Sequence, residues 1–344
     1  MYALRKEKVV MATIRKIRSG KWFVEIRKKG YPNISKAFLE KSTASKWARE
    51  VEMQMDKNIF EDYSGAAGTS LKALLIKYRD EITSKKRGFR EETSKINYLI
   101  NHKIALNSLM RLRSNHIYKL KNELSETRVA ATVNKYIHLL SHTWTTARKV
   151  WGIALPMQNP FELVSLDKEA PPRDRVLTKQ EYAKLLEACK LSNLPWLKDL
   201  VEFAYLTGAR QGEILNLKRA DVDFEKKVCT FYKTKNGKDR TIPLPDAAIS
   251  ILKKYRFGPL VFNVLKRRLR KHFDIAKKRA GIENFRYHDL RACWCTNALL
   301  AGWSIAAVAA VSGHEDWQQL KIYSRIKAHD LVDKINNINV VNLK

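Results

Sequence analysis

Thr207-Gly208-Ala209-Arg210-Gln211-Gly212-Glu213-Ile214 is the stretch on which the reading of this chain turns. An apolar run, residues 200–206, precedes it and reads as a buried helix, and the apolar pattern resumes at Ile214, Leu215 and Leu217. Gly208 breaks the periodicity between them, so Arg210 sits at a junction anchored on both sides. A guanidinium held still in this way grips a phosphate with a two-pronged hydrogen-bonded fork. Taken alone, the stretch reads first as an arginine in a helix–helix turn making a structural salt bridge.

The surrounding segment opens at Arg175-Val176-Leu177, where Thr178 and Glu181 form a capping box for a helix to about residue 189. A helix over 196–206 leads into the opening stretch. Residues 228–232 and 240–244 read as two strands around Lys235-Asn236-Gly237-Lys238, in which Asn-Gly is a hairpin signal. Helices follow at 247–255, 264–280, 288–300, 304–311 and 316–323. The helix over 264–280 carries Arg267 and Arg270 in a basic run, a solvated face that also suits contact with a phosphate backbone.

Six groups here can carry chemistry: Arg210, Lys235, His288, Arg291, His314 and Tyr323. Singly, each has a structural explanation. His288 and Arg291 stand at i and i+3 and share a helix face. His314 follows the tight Ser312-Gly313 turn, and Tyr323 lies nine residues further on. As a set they describe a metal-free phosphoryl-transfer site. Arginines neutralise the charge developing on non-bridging oxygens, a tyrosine forms a covalent ester, and Lys and His move protons. No Asp/Glu cluster with metal-ligand spacing accompanies them, so neither a metal nor another cofactor is expected.

Toward the N-terminus, residues 1–11 read as a basic leader. Alternating runs at 12–17, 21–29 and 34–39, separated by turns, predict a three-stranded meander. Ser42 or Thr43 is expected to cap a helix through Asn58. Residues 1–29 hold ten Lys or Arg against two Glu, and Arg15, Lys16, Arg18, Lys21, Arg27 and Lys28 make the sheet a candidate for DNA groove contact. Ser64-Gly65-Ala66-Ala67-Gly68-Thr69 reads as a small-residue linker. Thr69 or Ser70 caps the next helix, and helical runs at 91–101, 114–124 and 130–150 complete an all-helical segment with a basic loop at Lys85, Lys86 and Arg87. Trp144 and Trp151 are read as core residues, and the proline-bearing residues 156–172 as an extended connector. Three segments result: 1–64, 69–165 and 173–344. The predicted fold class is multidomain and mainly α with small β-sheets: a three-stranded sheet plus helix, an all-helical domain and a mixed α+β domain.

Composition narrows the partners. The 344 residues carry 66 Lys or Arg against 35 Asp or Glu, a net charge of +31. An excess of that size points to a polyanion, with double-stranded DNA first and an anionic membrane surface second. The longest apolar run, 298–311, is shorter than the ~20 residues of a membrane span, and no apolar core follows the basic N-terminus as a signal peptide requires. The spacing of Cys189, Cys229, Cys293 and Cys295 fits neither a zinc site nor a disulfide framework, so a reduced, cytoplasmic compartment and four small apolar core residues are expected.

At this point the sequence resembles the tyrosine recombinase, or phage integrase, family. The resemblance rests on the opening stretch, on Thr234 to Leu244, on Tyr287-His288-Asp289-Leu290-Arg291, on Gly313-His314 and on Tyr323. It departs at Ser312, where the family usually has Leu, at Ala292 and Trp294, where it often has His and Phe, and at Ile322, where Arg is common. The resemblance implies a site-specific DNA recombinase that integrates or excises a phage or mobile element. Tyr323 would form a 3′-phosphotyrosyl link, with Arg210, Arg291 and His314 on the non-bridging oxygens. Lys235 would protonate the leaving 5′-oxygen, His288 assist as base, and Glu213 support the site. It also implies arm-binding, core-binding and catalytic domains in that order, a homotetramer on DNA, and a DNA-bending host protein and an excisionase as further partners. Residues 338–343 are expected as a short strand docking on a neighbouring protomer or on its own. Two rival readings are a type IB topoisomerase-like enzyme and a DNA-binding accessory protein with a decayed catalytic domain.

Overall fold

In the computed structural model, which describes residues 12–171, 173, 175–232 and 237–320, the alternating N-terminal runs form an antiparallel meander. Its strands are β1 (Thr13–Lys16), β2 (Trp22–Ile26) and β3 (Ile34–Phe38), in that order. The register pairs Ile14 with Val24, Ile26 with Ile34 and Trp22 with Phe38, so these six apolar side chains share one face. That face packs on Ala44, Ala48, Val51 and Met55 of helix α1 (Lys41–Asp56). On the other face Arg15 stands opposite Phe23, its guanidinium carbon 5.4 Å from the ring centroid. Helix α1 begins earlier than the expected Ser42 or Thr43 cap. The extended residue before it is Glu40, and both hydroxyls turn back to the Glu40 carboxylate at 3.4 Å.

The chain separates between Ala170 and Pro171 into two compact units. The first holds this module and a helical core. The expected linker is a short helix, α2 (Ser64–Gly68), because its small residues allow close packing: Ala66 is buried in the helical core, and Ser108 Oγ donates to Ala67 O at 2.8 Å. Ser70 caps α3 (Leu71–Glu81), its Oγ accepting from Ala73 N at 3.2 Å. Helices α4 (Phe89–Asn101), α5 (Ser114–Ser125) and α6 (Ala130–Lys149) complete the core, with Trp144 buried in it and Trp151 packed at its margin. The expected connector is docked on this core. Phe161 and Val164 are buried in it, Lys121 Nζ donates to Ser165 O at 2.6 Å, and Asn134 Nδ2 to Asp167 O at 2.9 Å.

The second unit begins with α7 (Lys179–Lys190), capped by the Thr178–Glu181 box as expected. Arg175 also grips Glu181, and its hydrogen bonds hold that carboxyl down at about 2. Then come α8 (Leu197–Thr207), α9 (Gln211–Leu215), and a sheet of β4 (Val222–Asp223), β5 (Val228–Phe231) and β6 (Arg240–Pro243). Strand β4, two residues long, is too short to leave a periodic signal. Helices α10 (Asp246–Lys254), α11 (Lys266–Arg279), α12 (Asp289–Leu300) and α13 (Ile305–Ser312) follow, then a 3-10 turn, Trp317–Leu320. All four cysteines are buried. Among the described residues no helix is long and apolar enough to cross a membrane. The strand expected at 338–343 lies outside the described residues.

Candidate active site

Gly208 ends α8 in the left-handed region, with φ +62°. A Cβ there would fall 2.6 Å from the Trp294 ring, so only glycine lets α12 pack against this turn. The close approach serves Arg291, three residues before Trp294. Its side chain is 2% exposed, and Nη1 donates to Gly208 O at 2.9 Å. Burial, and then the neighbouring Arg210 charge, lower the Arg291 guanidinium to about 10, so it stays cationic at neutral pH.

Arg210 leads into α9. Its backbone N–H donates to Glu213 Oε2 at 2.8 Å and its Nη1 to Glu213 Oε1 at 2.8 Å, while Nη2 donates to Gly313 O at 2.6 Å. One carboxylate thus fixes both the main chain and the side chain of Arg210, the support expected of Glu213. Beside it opens a cavity of about 730 Å³, lined also by Lys218, Thr230 and Tyr232.

His314 arrives from a second glycine turn. Gly313 caps α13 with φ +72°. The ring returns over Ser312, whose Oγ lies 2.7 Å from Nδ1, and Arg291 Nη2 stands 3.2 Å from Nε2. Burial, followed by the charges of Arg291, Arg210 and Arg240, pushes the imidazole down to about 3, so it is neutral at physiological pH. Arg210, Arg291 and His314, about a hundred residues apart at the extremes, therefore meet at one place. His288 lies just before α12, one turn ahead of Arg291, and its charge also counts against protonation of His314. Lys235 and Tyr323 lie outside the described residues.

Sequence reasoning missed Arg240. It opens β6 opposite Phe231, on the face that Ile242 buries. Its Nη2 donates to Glu213 Oε2 at 2.5 Å, its Nη1 donates to Ser312 O, and its guanidinium carbon lies 5.4 Å from the Phe231 ring centroid. Burial lowers its pKa, and the Glu213 carboxylate opposes that shift. The available signal was a charged residue two positions from Ile242, in phase with the apolar side of a strand.

The DNA-contact candidates divide. Arg15, Lys16, Arg18, Lys21 and Arg27 are exposed on the first sheet, as are Arg267 and Arg270 on α11. Arg27 pairs with Glu25 at 2.7 Å and Lys28 with Asp56 at 2.5 Å. Lys85 and Arg87 are exposed, but Lys86 turns inward. Its Nζ donates to Glu92 at 2.7 Å and to Tyr78 Oη at 2.9 Å, because those half-buried polar groups need a cationic partner. Among the described residues, no group of three or more His, Cys, Asp or Glu is placed to hold a metal ion.

Residues 175–329 match the model of the phage integrase family. A putative integrase/recombinase of Haemophilus influenzae is 31% identical over 327 residues, spanning 89% of this chain and 85% of the relative. The shufflon-specific DNA recombinase of Escherichia coli is 30% identical over 278 residues, spanning 78% and 72%. In fold, the chain is similar to a lambda integrase tetramer solved bound to a Holliday junction, with a TM-score of 0.62 at 18% identity over 92% of this chain and 96% of that one.

Proposed function

The chain belongs to the phage integrase family of tyrosine recombinases and is a site-specific DNA recombinase; on that premise we propose how its residues divide the chemistry. Tyr323 Oη attacks the scissile phosphorus, the bond to the 5′-oxygen breaks, and a 3′-phosphotyrosyl ester forms. His288 takes the tyrosine proton and Lys235 gives one to the departing 5′-oxygen. Arg210, Arg291 and His314 hold the non-bridging oxygens, and Glu213 aims Arg210. The ester keeps the energy of the phosphodiester, so attack by a partner strand's 5′-hydroxyl reverses the step and needs no nucleotide cofactor.

The observation that carries this reading is the meeting of two fixed guanidiniums with a neutral imidazole from three separate segments. Such an array stabilises an anionic phosphorane without reorganising during the reaction. The partner is double-stranded DNA, bound by the first sheet at arm sites and by the helical and C-terminal segments at a core site. A homotetramer carries out strand exchange in the host cytoplasm on phage or mobile-element ends, with a DNA-bending protein and an excisionase controlling direction.

Nicked duplexes made from the DNA flanking the gene test the assignment. The wild-type protein is expected to become covalently attached to DNA, equally with EDTA present. Tyr323→Phe is expected to bind the same DNA and form no adduct. A Phe variant that still crosslinks would remove Tyr323 as the nucleophile, and cleavage lost in EDTA and restored by magnesium would overturn the metal-free chemistry.

A further inference from the structure

We propose that Glu92, a carboxylate among the cations of the helical segment, is a positioning residue for DNA binding: it anchors the loop between α3 and α4 and so holds Lys85 out toward the phosphate backbone. The inference rests on the reading that the helical segment binds DNA at the core site. Residues 82–88 join the two helices, and Glu92 stands one turn into α4. It takes bonds from both ends of that loop. Thr83 Oγ1 donates to Glu92 Oε1 at 2.6 Å, and Lys86 Nζ donates to Oε1 at 2.7 Å and to Oε2 at 3.0 Å. Thr83 is fully buried. Lys86 Nζ also donates to Tyr78 Oη of α3 at 2.9 Å, and the Tyr78 hydroxyl lies 2.7 Å from His142 Nδ1 on α6. Through Lys86 and Tyr78, one carboxylate joins the loop to three helices.

These bonds decide which cation the loop presents. An ammonium has three donors, and those of Lys86 are taken by the two Glu92 oxygens and the Tyr78 hydroxyl, which leaves none for a phosphate. Lys85, next to it, is exposed. Beside Lys86 opens a cavity of about 400 Å³, lined by Lys95 of α4 and by Lys135 and His138 of α6, against the carboxylates of Glu91 and Glu92. The face around the loop is thus rich in cations and suits a phosphate backbone.

On charge alone, a carboxylate in the middle of such a face weakens the binding of a polyanion, and Lys86 would serve better in solvent. The geometry gives Glu92 another use. Ordering a loop costs ~1–2 kcal/mol of backbone entropy per residue. A loop already held by Glu92 does not incur that cost when DNA arrives, so Lys85 meets its phosphate preorganised.

Full-length protein and a nicked core duplex made from the DNA flanking the gene, read by fluorescence anisotropy, test the anchor. Lys85→Ala is expected to weaken binding about tenfold at ~0.1 M salt and to lower the salt slope by about one, as loss of one phosphate contact implies. Glu92→Met removes a negative charge, yet it is expected to produce the same loss and the same drop in slope. The double variant should bind no more weakly than either single one. Tighter or unchanged binding by Glu92→Met overturns the inference, because removal of a negative charge alone would do that; additive losses in the double variant overturn it too. Amide hydrogen exchange at residues 83–88 of the DNA-free protein should quicken in Glu92→Met while α6 stays protected, and unchanged exchange in the loop removes the anchor whatever the affinity. Should Glu92→Met not fold, Thr83→Val, which removes one bond to the carboxylate, is expected to give the same pattern in smaller measure. Full affinity in Lys85→Ala would instead take this loop off the DNA and count against the core-site reading, while the exchange measurement would still decide whether Glu92 holds the loop.

Discussion

Glu213 receives bonds from Arg210 and Arg240 at once, with its side chain 8% exposed and that of Arg240 9% exposed. Burying a carboxylate is costly unless its partners are fixed, and here the partners come from different segments. Arg240 also touches the peptide before Gly313, and a Cβ at Gly313 would overlap its guanidinium. It is thus a positioning residue joining β6, the Arg210 turn and the His314 turn. Arg240→Met should lower stability by about 2 kcal/mol, the worth of a charged hydrogen bond, read from the denaturation midpoint. It should also slow adduct formation about a hundredfold through misplacement of Arg210, with DNA affinity nearly unchanged. Arg240→Lys, which keeps the charge and loses the fork, should recover the stability and only part of the rate. A methionine variant with the full rate would show that Arg210 needs no such brace.

The elements differ in how much of their role is local. Helix α7 needs only Thr178 and Glu181 to start, and both were visible in sequence. Strand β6 forms from alternation, but its first residue acts through distant partners. The N-terminal sheet lies between these cases. Its apolar face is occupied by α1, so the face and turns bearing Arg15, Arg18 and Lys21 remain for a ligand. Replacing these three residues with alanine should reduce the salt slope of arm-DNA binding by about 3, roughly one per phosphate contact. The melting temperature and adduct formation on a core-only duplex should not change. A lowered adduct yield on that short duplex would place the sheet on the core DNA instead.

For the whole molecule the controlling quantity is the charge of +31. Such a chain repels itself and gains most of its DNA affinity by releasing counterions. A protein making six to ten phosphate contacts loses about 10³–10⁵ in affinity between ~50 and ~200 mM salt, and a loss in that range is expected here by fluorescence anisotropy. A response under tenfold would mean that the basic surface serves something other than the phosphate backbone. Lys86 already shows that charge and function are not the same, since it is committed to Glu92 and Tyr78 at the edge of the helical core.

The amino-acid sequence by itself determined most of the element types, the helix start at Thr178, the buried cysteines, the fold class and the family. Those follow from periodicity, caps and residue types in a fixed order, all of which are local or additive along the chain. Only the tertiary structure decided that the Ser64–Gly68 stretch packs as a helix and that the proline-bearing segment docks on the helical core. It also turned Lys86 onto Glu92 and Tyr78, joined Arg240 to Glu213, and set Ser312 against His314. Each of these depends on which residues become neighbours after folding, and burial and hydrogen-bond partners carry no signature at the distance of a hundred residues. Arg210 shows both sides. Its turn was legible from one glycine and two apolar runs, whereas its hold on the carbonyl of Gly313 exists only because α12 and α13 bring that turn beside it.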